Sequence, residues 1–272
     1  MKKLNYLNIG CGNKFHKDWI NIDMYSNSKD VIVANLLNGI PFPDDSFDVI
    51  YHSQVLEHFP KENAQHFMKE CFRVLKTNGI IRIVVPDLEN IINEYQSLLK
   101  QNIENPNNIS LANYDWIMLE LFDQTVRNYS GGQMVNFLKQ SNLINEKYII
   151  DRVGFVGKEI RNSNPINNLK KSLSSLKLFK KGIIYLSRKI GQKISLQTEA
   201  SKVGAFRLGG EIHMWMYDRY SLSRLLKTSG FVDISIKNPY ESAIVNWNEY
   251  ELDIKDGLVY DPTSLFIEAR KI

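Results

Sequence analysis

The residues able to do chemistry in this chain gather at the ends of short apolar runs. Gly10 and Gly12 sit in Leu7-Asn-Ile-Gly-Cys-Gly12, after the run 4–9, and Asp23 ends the next run, Trp19-Ile-Asn-Ile-Asp23. Strand, Gly-x-Gly turn and acid at the next strand's end is an arrangement that holds an adenosine ligand. The glycines let the backbone approach it, and the carboxylate accepts from the ribose hydroxyls. Further along come Ser53, Gln54, Glu57 and His58 after the run 48–52, Asp87 after 79–85, and Asp123, Gln124 and Arg127 at helical spacing. Glu211, His213, Trp215 and Tyr217 then alternate with Ile212, Met214 and Met216.

The ligand is narrowed by what is missing. A dinucleotide turn carries a third glycine where this chain has Phe15, and 13–19 leaves little room for a helix under a pyrophosphate. An adenosine ligand without a pyrophosphate fits better, and S-adenosylmethionine is such a ligand. Methyl transfer from it is an in-line displacement at a sulfonium. The enzyme aligns acceptor, methyl and sulfur, and takes up a proton when the acceptor is a hydroxyl. No covalent nucleophile is needed, and Cys11 reads as a small residue of the turn.

Ile40-Pro-Phe-Pro-Asp-Asp-Ser-Phe-Asp48, Val49-Ile-Tyr-His-Ser-Gln-Val-Leu-Glu-His58, Phe72-Arg-Val-Leu-Lys-Thr-Asn-Gly79 and 80–85 follow in order. With the glycine turn, this series resembles the class I S-adenosylmethionine-dependent methyltransferases of small-molecule and glycan pathways. The resemblance covers 4–87 and resumes at 210–218 and 222–231. It implies a cofactor site made by Asn8, Gly10, Cys11, Gly12, Asp23, Met24, Asn35, Leu36, Ser53 and Gln54. Asn35 and Leu36 would read the adenine edge, and Ser53 and Gln54 would lie beside the methionine and methyl group. Asn8 stands where the family has an acid, and Lys14 also departs from its pattern.

The acceptor site is read from spacing. If 211–217 is extended, Glu211, His213, Trp215 and Tyr217 share one face. His213, with an ordinary pKa of about 6.5, is then the base for an acceptor hydroxyl, with Glu211 and Asp87 as the other catalytic groups. His58, Asp123, Gln124, Arg127 and Tyr217 are read as acceptor-binding. The plainer readings are an anchoring role for His213, a helix cap for Asp87 and a buried Asp123–Arg127 ion pair. Glu57 and His58 are read as ordering the loop. One carboxylate, one imidazole and the Gln54 amide are thin for Mg²⁺, so no metal is expected.

These residues need a parallel, doubly wound α/β sheet to position them. Strands are predicted at 4–9, 19–23, 31–34, 48–52 and 79–85, and helices at 62–76 and from about 87. Strands 231–237 and 264–270 return to the sheet, and the resemblance implies that they form an antiparallel edge hairpin, giving a Rossmann-like sheet of about seven strands. The predicted methyltransferase domain is 1–96 with 211–272. A helical insertion, 97–210, leaves at the ligand end of the sheet as a lid that sets specificity. Helices are predicted within it at 111–129, 133–141 and 169–190, and a further helix at 219–228, outside the insertion.

With 272 residues and 43% apolar content the chain can bury one large domain. Two cysteines make no disulfide framework. Residues 1–10 are too short and polar for a leader, and no run reaches a membrane span of roughly 18 apolar residues. The cytoplasm is the expected location. Segment 169–190 carries an apolar stripe flanked by cations, among them Lys177, Lys180 and Lys181. It reads as a lid or homodimer helix, with peripheral contact to an anionic membrane as the competing reading. The sequence as a whole predicts O-methylation of a sugar, glycan or other polar small molecule. A nucleic-acid methyltransferase is the alternative, disfavoured because the strand end at 84–88 reads Val-Val-Pro-Asp-Leu and not an Asn-Pro-Pro-Tyr-type site; a non-catalytic S-adenosylmethionine-binding scaffold is the other.

Overall fold

The computed structural model describes residues 4–162 and 198–272. Its main sheet has seven strands: β1 (Tyr6–Ile9), β2 (Ile20–Asp23), β3 (Val31–Val33), β4 (Phe47–Ser53), β5 (Leu75–Pro86), β6 (Val232–Lys237) and β9 (Ser264–Arg270). Their order is β3-β2-β1-β4-β5-β9-β6. The first five are parallel, and β9 runs antiparallel to both β5 and β6. The expected α/β sheet with an antiparallel pair at one edge is the one present. A two-stranded ribbon, β7 (Ile254–Lys255) with β8 (Leu258–Val259), stands apart from it.

Apart from an irregularity between Phe47 and Val49, the central strands alternate between two cores, as a period of two requires. Leu7, Ile9, Ile50, Ile81, Ile83, Leu265 and Ile267 face one side, where α1 (Lys61–Val74) and α7 (Arg219–Thr228) pack. Helix α1 buries Ala64, Phe67, Met68, Cys71 and Val74, a stripe at spacings of three and four. Helix α7 opens with a reciprocal Asp218–Ser221 capping box and buries Leu222 and Leu226. The opposite face is aromatic: Tyr6, Trp19, Tyr51 and Phe266 meet Trp247 from the irregular stretch before the ribbon.

That second face also buries a charged network absent from the sequence reading. Fully buried Arg82 on β5 donates to Asp253 Oδ2 at 2.7 Å and to Glu268 Oε1 at 2.8 Å. It also donates to the backbone carbonyls of Glu241 and Asn238, and lies over the Trp247 ring. Tyr51 donates to the other Asp253 oxygen at 2.6 Å.

Between β5 and α7 the described chain forms α2 (Leu88–Glu104), α3 (Asn108–Val126), α4 (Gly132–Leu138), α5 (Glu146–Asn162) and α6 (Glu199–Arg207). The predicted helix 111–129 begins earlier, because Asn107 caps it, and ends earlier, at Arg127. Helices α5 and α6 were not foreseen. Buried Arg152 of α5 clamps Glu120 of α3 through two donors at 2.7 and 2.6 Å. At Gly154 the backbone of α5 is non-helical, with φ 57°. A Cβ there would lie 2.3 Å from the Val259 carbonyl oxygen, so the glycine allows the segment after the ribbon to run against α5. The predicted helix 169–190 lies outside the described residues. No helix among those described is long and apolar enough to cross a membrane.

Candidate active site

The site forms at the carboxyl ends of β1, β2, β4 and β5, where an open α/β sheet binds ligands. Gly10 and Gly12 take left-handed conformations, φ 63° and 51°. The turn is held by Gly10 and Cys11 N–H groups donating to the Ile22 carbonyl. The Gly12 N–H donates to Asp23 Oδ2 at 2.8 Å, and Tyr25 N–H donates to Oδ1 at 3.0 Å. A Cβ on Gly12 would meet nothing within 4 Å, so the turn is open on that side. A Cβ on Gly10 would lie 2.3 Å from Val55, which presses the segment after β4 against the turn.

Asn8 is buried and faces inward. Its amide donates to the Lys14 carbonyl at 2.9 Å and to Asn21 Oδ1 at 3.2 Å, so it orders the turn. The Cys11 thiol is buried, and burial pushes its pKa up to about 12, which removes it as a nucleophile. Met24 follows Asp23 at the end of β2, partly exposed. Asn35 accepts from Leu37 N–H at 3.0 Å and caps a short 3-10 turn that buries Leu36. Ser53 ends β4, and Gln54, with φ 56°, donates to Ser264 Oγ at 3.0 Å. This donor set fits S-adenosylmethionine: an open backbone turn, a carboxylate at the β2 end, and a polar residue after β3.

The 211–217 stretch is not a strand, and its alternate residues do not share one face. Tyr217 forms a single parallel bridge with Asp87, and Asp87 caps α2 by accepting from Glu89 N–H. Glu211 points away from His213. It pairs with Arg127 at 3.2 Å and accepts from Gly131 N–H at 3.1 Å. Asp123 makes no pair with Arg127, because its carboxylate caps α4 through Gln133 and Met134 N–H groups. Gln124 contributes its carbonyl, which accepts from His213 N–H at 2.9 Å. Arg127 also donates to the Glu211 carbonyl. These residues fasten 211–213 to the end of α3.

His213 instead meets Glu57 and His58. Glu57 and His58 lie on a 3-10 turn after β4, and the Glu57 carbonyl accepts from Met214 and Trp215 N–H groups. His213 Nε2 and His58 Nε2 are each 4.0 Å from Glu57 Oε1, and the two rings meet edge to face. Glu57 is fully buried, and among the described residues neither of its oxygens has a hydrogen-bond partner. Burial raises its pKa to about 8 and pushes both imidazoles below their usual 6.5. At neutral pH the trio is therefore an uncharged set, with no ion pair. Burial thus overturns the expectation that His213 titrates near 6.5. The buried Tyr217 hydroxyl has no hydrogen-bond partner among the described residues, and its pKa is raised by burial and, less, by the nearness of Glu57. A last neighbour was not foreseen: Lys14 of the glycine turn lies 3.7 Å from Asp261 and over the Tyr260 ring. Only local spacing was legible here; nothing in the sequence signals that residue 213 reaches residue 57.

Residues 7–83 match the family model of a methyltransferase domain. A probable S-adenosylmethionine-dependent methyltransferase of Mycolicibacterium smegmatis is 43% identical over 51 residues, 19% of each chain. The phosphoethanolamine N-methyltransferase of Plasmodium falciparum is 30% identical over 78 residues, 28% of this chain and 29% of that one. An uncharacterized Haemophilus influenzae protein is 29% identical over 147 residues, 52% of this chain and 54% of its own. The chain thus spans about half, or less, of the curated relatives it matches. A Thermotoga maritima structure, described as a S-adenosylmethionine-dependent methyltransferase and possible histamine N-methyltransferase, aligns over 100% of this chain and 84% of its own. The TM-score is 0.41 at 10% identity. The match to the methyltransferase-domain model thus spans the first five strands of the sheet.

Proposed function

We propose that the chain transfers the methyl group of S-adenosylmethionine to a polar small-molecule acceptor, a hydroxyl of a sugar or glycan being the acceptor expected. The observation that carries this reading is the glycine turn closed by Asp23 and pressed by Val55 against the Glu57–His58 turn. It sets a turn able to take a nucleoside beside a cluster of titratable side chains. When bound, the cofactor supplies an electrophilic methyl on a sulfonium. Asp23 would hold its ribose, Asn35 and Leu36 its adenine, and Ser53 and Gln54 would flank its methionine. His58 and Tyr217 would lie on the acceptor side, and buried His213 would stand as a neutral imidazole behind them.

The test is calorimetric titration with S-adenosylmethionine. Asp23→Ala should weaken binding by roughly 2–4 kcal/mol, because a charged acceptor for two hydroxyls is lost. Asp23→Asn, which keeps one acceptor oxygen and so one of the two hydrogen bonds from the turn, should fall between. Equal affinity in all three proteins would exclude this site. Transfer of labelled methyl to sugars, against amine acceptors as the comparison, then identifies the acceptor atom.

A further inference from the structure

The buried trio at the end of β4 is hard to account for as protein alone. A buried carboxyl group is normally hydrogen-bonded, and neither oxygen of Glu57 has a well-formed partner among the described residues. The two imidazole nitrogens facing it, at 4.0 Å, are too far to donate. The three ligand atoms of Glu57, His58 and His213 all lie within 4.8 Å of one another. The tautomer of His58 is set as well. Its Nδ1 lies 3.0 Å from the Ile212 carbonyl oxygen, which only accepts, so Nδ1 carries the hydrogen and Nε2 keeps its lone pair toward Glu57. A second hydrogen bond of this kind commonly orients metal-bound histidines.

We propose that Glu57, His58 and His213 bind a divalent first-row transition ion of the zinc class. Two imidazoles with one carboxylate suit such an ion, whereas Mg²⁺ and Ca²⁺ favour all-oxygen sets. Bonds of about 2.0–2.2 Å require the three side chains to draw together by roughly half an ångström each. His58, the most exposed of the three, has room to do so. Three protein ligands leave a fourth position open, and the unpartnered Tyr217 hydroxyl is a neighbour for whatever fills it. The ligands come from two distant segments, the turn after β4 and the stretch before α7, so an ion would also lock 211–217 onto the sheet. Resting on the proposed methyl transfer, its use would be to acidify an acceptor hydroxyl, the proton leaving to water.

The test uses the full chain without a histidine tag, stripped with a chelator and checked for fold by circular dichroism. Titration with Zn²⁺, and with Co²⁺ followed by its visible absorption, should give one site per chain, with no competition from excess Mg²⁺. His58→Ala and Glu57→Gln should each weaken binding at least about tenfold, and His213→Ala should do the same. His58→Ala alters the least buried ligand and keeps the test decisive if the His213 variant fails to fold. Absence of a stoichiometric site, or equal affinity in folded His58→Ala and Glu57→Gln, overturns the proposal. Titration with S-adenosylmethionine on the same metal-free protein separates this failure from failure of the methyl-transfer reading.

Discussion

At the scale of single residues, burial decides what a titratable group can do. His52 on β4 has no exposure and no hydrogen-bond partner for either ring nitrogen among the described residues, and it packs edge-on to Phe67. Burial alone lowers its pKa to about 3. The unfolded chain takes up a proton there below about pH 6.5, and the folded one does not until about pH 3. The stability it confers is therefore complete above that first value and declines as pH falls between the two. Thermal unfolding from pH 7 to pH 4 should show His52→Leu losing less stability than wild type. Parallel curves would mean that His52 is hydrated. The same logic explains which site residues were legible. Gly10, Gly12 and Asp23 act through neighbours in the chain, so spacing reveals them. Glu57 and His213 act through a contact between distant segments, and Asp123 through a cap on the following helix, so local spacing misassigns them.

At the scale of elements, the sheet was largely legible and its covering was not. Short apolar runs announce β1, β4 and β5, and α1 and α7 fall where helices are predicted. Helix α5 was missed because its packing turns on Arg152, a charged residue whose partner lies on α3. The aromatic face was missed for a related reason: an irregular segment covers it, pinned by Arg82. Replacing Arg82 with Met leaves Asp253 and Glu268 buried without their cation. The expected loss is about 3–5 kcal/mol, read as a lowered denaturant midpoint. Loss of less than about 1 kcal/mol would show that water reaches the two carboxylates. Because Asp253 precedes the ribbon, and the segment after the ribbon carries Asp261 to Lys14, the variant should also weaken S-adenosylmethionine binding.

At the scale of the whole molecule, the pairing of β5 with β9 joins Ile80 to Arg270 and Pro86 to Ser264, across all the helices from α2 to α7. Until β9 docks, β5 presents Ile80-Ile-Arg-Ile-Val-Val85 along an open edge, with every one of those residues destined for burial. Closing so long a loop is slow, since its entropy cost comes before any pairing is gained. During that wait another chain's strand can occupy the edge as readily as its own. Refolding from denaturant should therefore lose yield steeply as protein concentration rises, and a synthetic peptide spanning 262–272 should restore part of it. Yield independent of concentration would show that the edge is covered early. The strand that completes the sheet is thus also a kinetic gatekeeper, and the interval before it arrives is when the chain is most exposed to self-association.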